Sequence, residues 1–478
     1  VTEFRKKAIS AFVWSAAQTL TSQGLLFLIS IVLARHISPS EFGLIGMLTV
    51  FINLGDSFIN SGLSQSLIRE KTASDAEYSS IFFFNLVISI CIYVLFYFIA
   101  PFIASFYHQD VLVNIIRVYF IVFIIKSLSI IQNTYLIKSL NFKQQFKIGL
   151  PSQILSGAFG IILSMNGFGV WSLVYSLMLQ SSLECIQLWF YSNWKPLWVF
   201  SYANIRKHLR FGYKLTVSTT IDSIMSSFMN IIIGRYFSVY QVGIFTRANS
   251  LKQLPADAVI GIIGKVSQPL FAEIQDDNMR LKNAYSQIMQ MSFVFLTPVL
   301  AIAFVLADPF VKVLFTEKWN DVIPYFRILI VTSLLFPVQV FNLHIINVKG
   351  RSDLNLKLEI IKVTLSATIL IAAMQYGMYA LLYGNVLLAI IGIFINSVYS
   401  KMFIGYGIFS QLRDIMPIMF YGFLAAGAVW LLNATVLNGA PDIYQLLVGA
   451  AFGSVVYLVL LYLIKPEIFS FIKKIRHD

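Results

Sequence analysis

Charge is scarce in this chain. Only 12% of its 478 residues are Asp, Glu, Lys or Arg, where a soluble protein carries roughly a quarter. That scarcity excludes an ordinary water-soluble domain. Cysteine is rarer still: Cys91 and Cys185 both lie in apolar segments, so there is no disulfide framework and no Cys/His metal spacing. The five histidines, His36, His108, His208, His344 and His477, are scattered singly and read as surface or interface residues. No GxxxxGK[ST] phosphate loop is present; Gly261-Ile-Ile-Gly264-Lys265 has the wrong spacing. Asp276-Asp277 reads as a solvated turn before a helix rather than a metal pair. No polar stretch is long enough to house a transferase. The expectation is a protein that is not an enzyme, with no cofactor and no bound metal.

What the chain has is apolar length. Residues 81–104 and 115–137 are long apolar runs in a sequence that is 58% hydrophobic and 15% aromatic. Stretches of about 20 such residues cross a bilayer as helices, because lipid offers backbone polar groups no partner. The fold class expected is an all-α polytopic membrane protein of about 14 helices. They fall near 8–34, 41–66, 78–104, 111–137, 147–165, 169–191, 209–234, 241–268, 282–307, 321–348, 354–376, 378–402, 412–436 and 442–464. Phe4-Arg5-Lys6-Lys7 opens an uncleaved first helix, since no small-residue cleavage site follows.

The net charge of +13 is distributed unevenly. With the N-terminus inside, twenty-three basic residues fall in inner loops and tails, and only Arg35, Arg235, Lys312 and Lys318 in outer loops. This is the positive-inside bias, and it accounts for the charge without a nucleic-acid partner. Both termini are expected in the cytoplasm of a bacterial cell, with the chain in its cytoplasmic membrane.

The chain also repeats itself. Arg35-His-Ile-Ser38-Pro-Ser-Glu-Phe-Gly43 returns as Arg235-Tyr-Phe-Ser238-Val-Tyr-Gln-Val-Gly243. Ser64-Gln65-x-Leu67-x-x-Glu70 answers to Ser267-Gln268-x-Leu270-x-x-Glu273, and Gly169-Val-Trp171 to Gly377-Met-Tyr379. Six such echoes in collinear order predict two parallel six-helix copies, a sign of alternating access. The expected divisions are an N-lobe over 1–191, a linker over 192–208, a C-lobe over 209–402, and two added helices with a basic tail over 403–478. Trp194, Lys195 and Trp198 place the linker in the membrane interface. Arg35 and Arg235 fall at outer helix ends and mark architecture rather than a site.

Charges at membrane depth cost about 2.5–3.5 kcal/mol on insertion scales, so they face partners or wet cavities. Lys214, Lys265 and Arg327 sit close enough to helix ends to snorkel, and Glu359 and Lys362 are spaced to pair. Arg117 and Lys126, nine apart, point to opposite faces of a straight helix. Polar stripes run along the second helix (Asn53, Asp56, Asn60, Ser64), the seventh (Thr219, Asp222, Ser226, Asn230) and the eighth (Thr246, Ser250, Gln253, Asp257). The first helix has a milder one in Ser15, Gln18 and Ser22. Such stripes serve either as interhelical glue or as a cavity wall.

Leu33-Ala34-Arg35, Glu41-Phe42-Gly43 and Gly167-Phe-Gly169-Val-Trp171-Ser-Leu-Val-Tyr175, with the span count, resemble the polysaccharide transporter family. These are Wzx-type flippases, with the colanic- and teichuronic-acid exporters nearest, in a superfamily shared with MATE antiporters and the lipid II flippase. The resemblance implies two six-helix lobes in a V plus two helices, and a cargo of undecaprenyl-pyrophosphate-linked oligosaccharide. It also implies proton or sodium coupling, and a polysaccharide polymerase and chain-length regulator as partners. On that basis Arg247, Lys252 and Lys126 are the cations for the pyrophosphate. Asn53, Asn60, Gln253 and Gln18 are the groups for sugar hydroxyls, and Asp56, Asp222 and Asp257 the ion-coupling acids. A cation-coupled drug antiporter and a membrane polymerase or ligase are the alternatives; the first disfavours buried cations, and the second calls for a large outer loop bearing Arg and His.

Overall fold

The computed structural model describes residues 2–464 apart from 61, 71 and 193. Over 2–13, 16, 60, 211, 262, 265, 266, 268–270, 272, 352, 353, 355, 356 and 464 it describes backbone only. The basic tail after 464 lies outside the described residues. Every regular element among them is helical.

The chain divides into two compact units, 1–246 and 247–478. The first holds α1 (Thr2–His36), α2 (Pro39–Asn60), α3 (Leu63–Arg69), α4 (Asp75–Tyr107), α5 (Val111–Tyr119), α6 (Ile121–Ser127), α7 (Ile130–Lys138), α8 (Phe142–Met165), α9 (Val170–Tyr191), α10 (Tyr202–Tyr236) and the start of α11 (Val239–Glu273). In it α1 packs on α8, α8 on α9, and α10 on α2, α3 and α4. The second holds the rest of α11, then α12 (Asn278–Val305), α13 (Ala307–Phe315), α14 (Val322–Val348), α15 (Ser352–Ala373), α16 (Met378–Ile404), α17 (Ile408–Thr435) and α18 (Asp442–Ile464). There α12 packs on α17, α14 on α16, and α18 on α13 and α17.

Local chemistry sets many helix starts. Ser74 and Glu77 close a capping box on α4, and Asp277 accepts from the amides of Met279 and Arg280 to open α12. The Asp276-Asp277 turn is thus a helix cap. On α4, Val94, Phe98 and Phe102 are 45%, 69% and 75% exposed at four-residue spacing. An apolar stripe left bare in this way is a lipid-facing surface. Among the described residues, ten helices are long and apolar enough to span a membrane, and a bent pair raises this to as many as eleven. The helices α9, α10 and α11 are not among them.

Several expectations need correction. The fourth span is not one helix over 111–137: α5, α6 and α7 replace it, with a 44° bend between Ser127 and Ile130. The indole Nε1 of Trp189 donates to the carbonyl of Leu128 at 2.9 Å, satisfying an acceptor at the break. The straight-helix argument for Arg117 and Lys126 therefore lapses, although the two do part company: Arg117 lies 4.5 Å over the ring of Tyr97. The second span also divides, α2 ending at Asn60 and α3 starting at Leu63. The segment near 308–320, expected as an outer loop, is largely helical, in α13 and a 3-10 turn over Glu317–Trp319.

The linker is anchored rather than merely interfacial. Trp194 is buried against Tyr78 and Phe82, while Trp198 is 94% exposed and stacks on Phe83. The amides of Leu197 and Ser201 donate to the hydroxyls of Ser79 and Ser80 at 2.9 and 3.0 Å. Residues 202–208 already belong to α10. Lys207 bridges Glu70 and Glu77 at 2.9 and 2.8 Å, and His208 Nδ1 meets Ser66 Oγ at 2.8 Å. His208 is buried, against its expected place at the surface or interface, because α10 begins early enough to carry it inward onto α3.

The echoed segments meet each other. A Cβ on Gly43 would lie 1.9 Å from the Val239 carbonyl oxygen, and one on Gly243 1.8 Å from that of Pro39. Only glycine permits α2 and the start of α11 to cross backbone to backbone. The family-like motif residues also touch: Gly169 has φ +54°, and a Cβ there would strike Glu41 Oε1 at 2.0 Å. Glu41 in turn accepts from the Ser38 amide at 2.8 Å, capping α2.

Candidate functional site

The bend between α6 and α7 opens a cavity of about 310 Å³ in the first unit. Gln18 and Ser22 come from α1, Lys126 from the end of α6, and Ser129, Ile130 and Asn133 from the bend and α7. Gln145, Ile148, Gly149 and Gln153 come from α8, and Glu184 and Leu188 from α9. Amides, hydroxyls and one charge of each sign therefore face a single space.

Its charges are arranged specifically. Lys126 Nζ contacts both carboxylate oxygens of Asp56, at 2.8 and 2.9 Å. The two side chains keep 34% and 30% of their surface. Glu184 accepts from Gln180 at 3.0 Å, one turn away on α9. Gln145 Nε2 donates to Asn133 Oδ1 at 2.7 Å. Gln153 is only 8% exposed, and its carbonyl oxygen has no hydrogen-bond partner.

Of the residues singled out from sequence, the cavity gathers Gln18 and Lys126, with Asp56 held behind Lys126. Asn53 instead donates to Ser227 Oγ at 3.4 Å, joining α2 to α10 as interhelical glue. The Asn60 side chain lies outside the described residues. Asp222 is exposed on α10. Gln253 donates to Asp257 at 2.7 Å along one helix face. In the second unit Arg247 is buried, with Phe315 and Trp319 rings 5.1 and 5.2 Å from its guanidinium. Such cation–π contacts contribute about 0.5–2 kcal/mol. Lys252, also buried, donates to Thr332 Oγ1 at 2.7 Å.

Sequence reading missed Asn133, Gln145 and Gln153. A signal existed: Gln145, Gly149 and Gln153 recur every four residues on α8, and all three line the cavity. It also missed a buried polar node in the second unit. There Asn342 Oδ1 accepts from Tyr285, Ser400 and Gln411 at 2.8, 2.6 and 2.9 Å, tying α12, α14, α16 and α17 together. The expected Glu359–Lys362 pair is present at 3.0 Å, and Arg327 pairs with Asp308.

A model of the family described as polysaccharide biosynthesis protein matches residues 32–324. The chain belongs to that family. Among its relatives it is 26% identical to the lipopolysaccharide biosynthesis protein WzxC of Escherichia coli (strain K12), over 81% of this chain and 79% of that one. It is 24% identical to the succinoglycan biosynthesis transport protein ExoT of Rhizobium meliloti (strain 1021), over 69% and 67% of the two chains. The fold is that of the lipid II flippase MurJ in its inward closed conformation, with a TM-score of 0.79 at 14% identity over 96% of this chain and 99% of MurJ. This member of the polysaccharide biosynthesis family is therefore a multi-pass membrane protein with the fold seen in MurJ.

Proposed function

We propose that the chain flips an oligosaccharide repeat unit, carried on undecaprenyl pyrophosphate, from the inner to the outer leaflet of a bacterial cytoplasmic membrane. It does so by alternating access between two parallel six-helix copies, with α17 and α18 as additions and both termini in the cytoplasm. A proton or sodium gradient drives it, and a polymerase and chain-length regulator act on what it delivers. The observation that carries this reading is a membrane cavity walled by amides and hydroxyls, in a chain of the polysaccharide biosynthesis family. Hydroxyl-rich cargo needs such donors and acceptors where lipid supplies none.

The pyrophosphate needs cations, and Arg247, Lys252 and Lys126 are the candidates. Their settings rank them differently from their depth alone. Arg247 is already caged by two rings, which gives it a packing role sufficient to explain its burial. A drug antiporter for aromatic cations fits the cavity poorly, since its twelve lining residues include Lys126 and no aromatic ring.

Deleting the gene tests the reading. Complete lipid-linked repeat should accumulate on the cytoplasmic leaflet, detected by leaflet-selective oxidation of its sugars. Normal surface polysaccharide with raised drug sensitivity would replace this reading with the antiporter.

A further inference from the structure

We infer that the cavity of the first unit is a saccharide subsite, reserved for the sugar end of the cargo and not for its pyrophosphate. The inference rests on the flippase reading and adds where the sugar is recognised. Three observations carry it.

The first is size. About 310 Å³ is at the lower limit of small-molecule sites, enough for a sugar ring or two and too little for a polyprenyl chain. The second is charge. Lys126, the one cation in the lining, is already engaged by both oxygens of Asp56, and Glu184 adds a carboxylate. A diphosphate entering here would meet a neutralised cation beside an acid, which is the wrong field for an anion.

The third is unmet hydrogen bonding. The Gln153 carbonyl is buried without a donor, and an unsatisfied buried acceptor costs about 1–3 kcal/mol. That oxygen belongs to the side-chain amide of a residue lining the cavity, and a turn of the amide toward the space would offer it to a cargo hydroxyl. Two turns earlier on α8, about 12 Å along the helix, Gln145 has spent a donor on Asn133, so the pair retains the Gln145 carbonyl and the Asn133 NH₂ as acceptor and donor. An acceptor next to a donor is the complement of two neighbouring sugar hydroxyls, each of which can give and take one bond. Sites built this way reject analogues lacking the hydroxyl far more strongly than apolar pockets reject an extra methylene.

The test uses the full-length protein in lipid nanodiscs and two probes. One is the lipid-linked repeat extracted from the producing strain; the other is undecaprenyl pyrophosphate without sugar. Gln153→Ala, Gln145→Ala and Asn133→Ala should each weaken binding of the glycosylated lipid about tenfold, the worth of one or two hydrogen bonds. Affinity for the bare lipid should stay within about twofold. Gln145 is only partly buried, so Gln145→Ala remains informative even if the Gln153 variant fails to fold. Equal weakening for both lipids, or none for either in the folded variants, overturns the subsite and leaves the flippase reading standing. Wild-type protein that binds neither lipid overturns the flippase reading and the subsite with it.

Discussion

At the scale of single residues the Lys126–Asp56 pair carries the sharpest expectation. Both side chains keep about a third of their surface, at 34% and 30%, so the pair resembles an exposed ion pair, worth about 0.2–1 kcal/mol. The cost of leaving one charge alone at membrane depth is larger, about 2.5–3.5 kcal/mol on insertion scales. Asp56→Ala should therefore lower the melting temperature in detergent more than the double variant Asp56→Ala/Lys126→Ala does. Strict additivity of the single changes would refute the pairing. Both residues stood out in the sequence as charges in apolar helices. Their partnership did not, because it depends on a bend after Ser127 that no proline or glycine announces. Gln145 and Gln153 escaped for a different reason: the residue midway between them is Gly149, which has no side chain to complete a polar stripe.

At the scale of elements, the linker and the start of α10 are clamped to α3 and α4 by Lys207, Glu70, Glu77, His208 and Ser66. Burial holds the His208 imidazole below its usual pKa of 6.5, against the upward pull of Glu77 at 3.5 Å. A depressed base is neutral in the fold while the unfolded chain takes up protons, so stability falls as pH drops below about 6.5. Melting temperatures measured at about pH 7.5 and about pH 5.5 should diverge less in His208→Gln than in the wild type. An equal acid shift in both proteins would assign the sensitivity elsewhere. The linker's aromatic content was legible in the sequence, but its anchoring was not: Trp194 looks the same in sequence whether it floats in headgroups or packs on Tyr78. The charged α11 was readable as a helix only through its repeat mate, since its own polarity hides it from hydropathy.

At the scale of the whole molecule, loop charge predicts orientation. In a Cys91→Ser/Cys185→Ser background, a membrane-impermeant maleimide applied to intact cells should label Lys318→Cys and spare Arg280→Cys until the membrane is opened. The reverse pattern would invert the proposed topology. The apolar helices were legible from composition and spacing, because each is a property summed over many residues. The cavity was not, since it exists only where five helices and a bend coincide. The meeting of Gly43 with Val239 and of Gly243 with Pro39 has one more consequence. Shifted by 200 positions, the first contact becomes the second, which is the reciprocity of an isologous interface between identical subunits. This chain makes with itself a contact that two copies of its first half would make across a dyad. Positions 43 and 243 are thereby sterically coupled: room for a side chain at either must be opened by the backbone that carries the other.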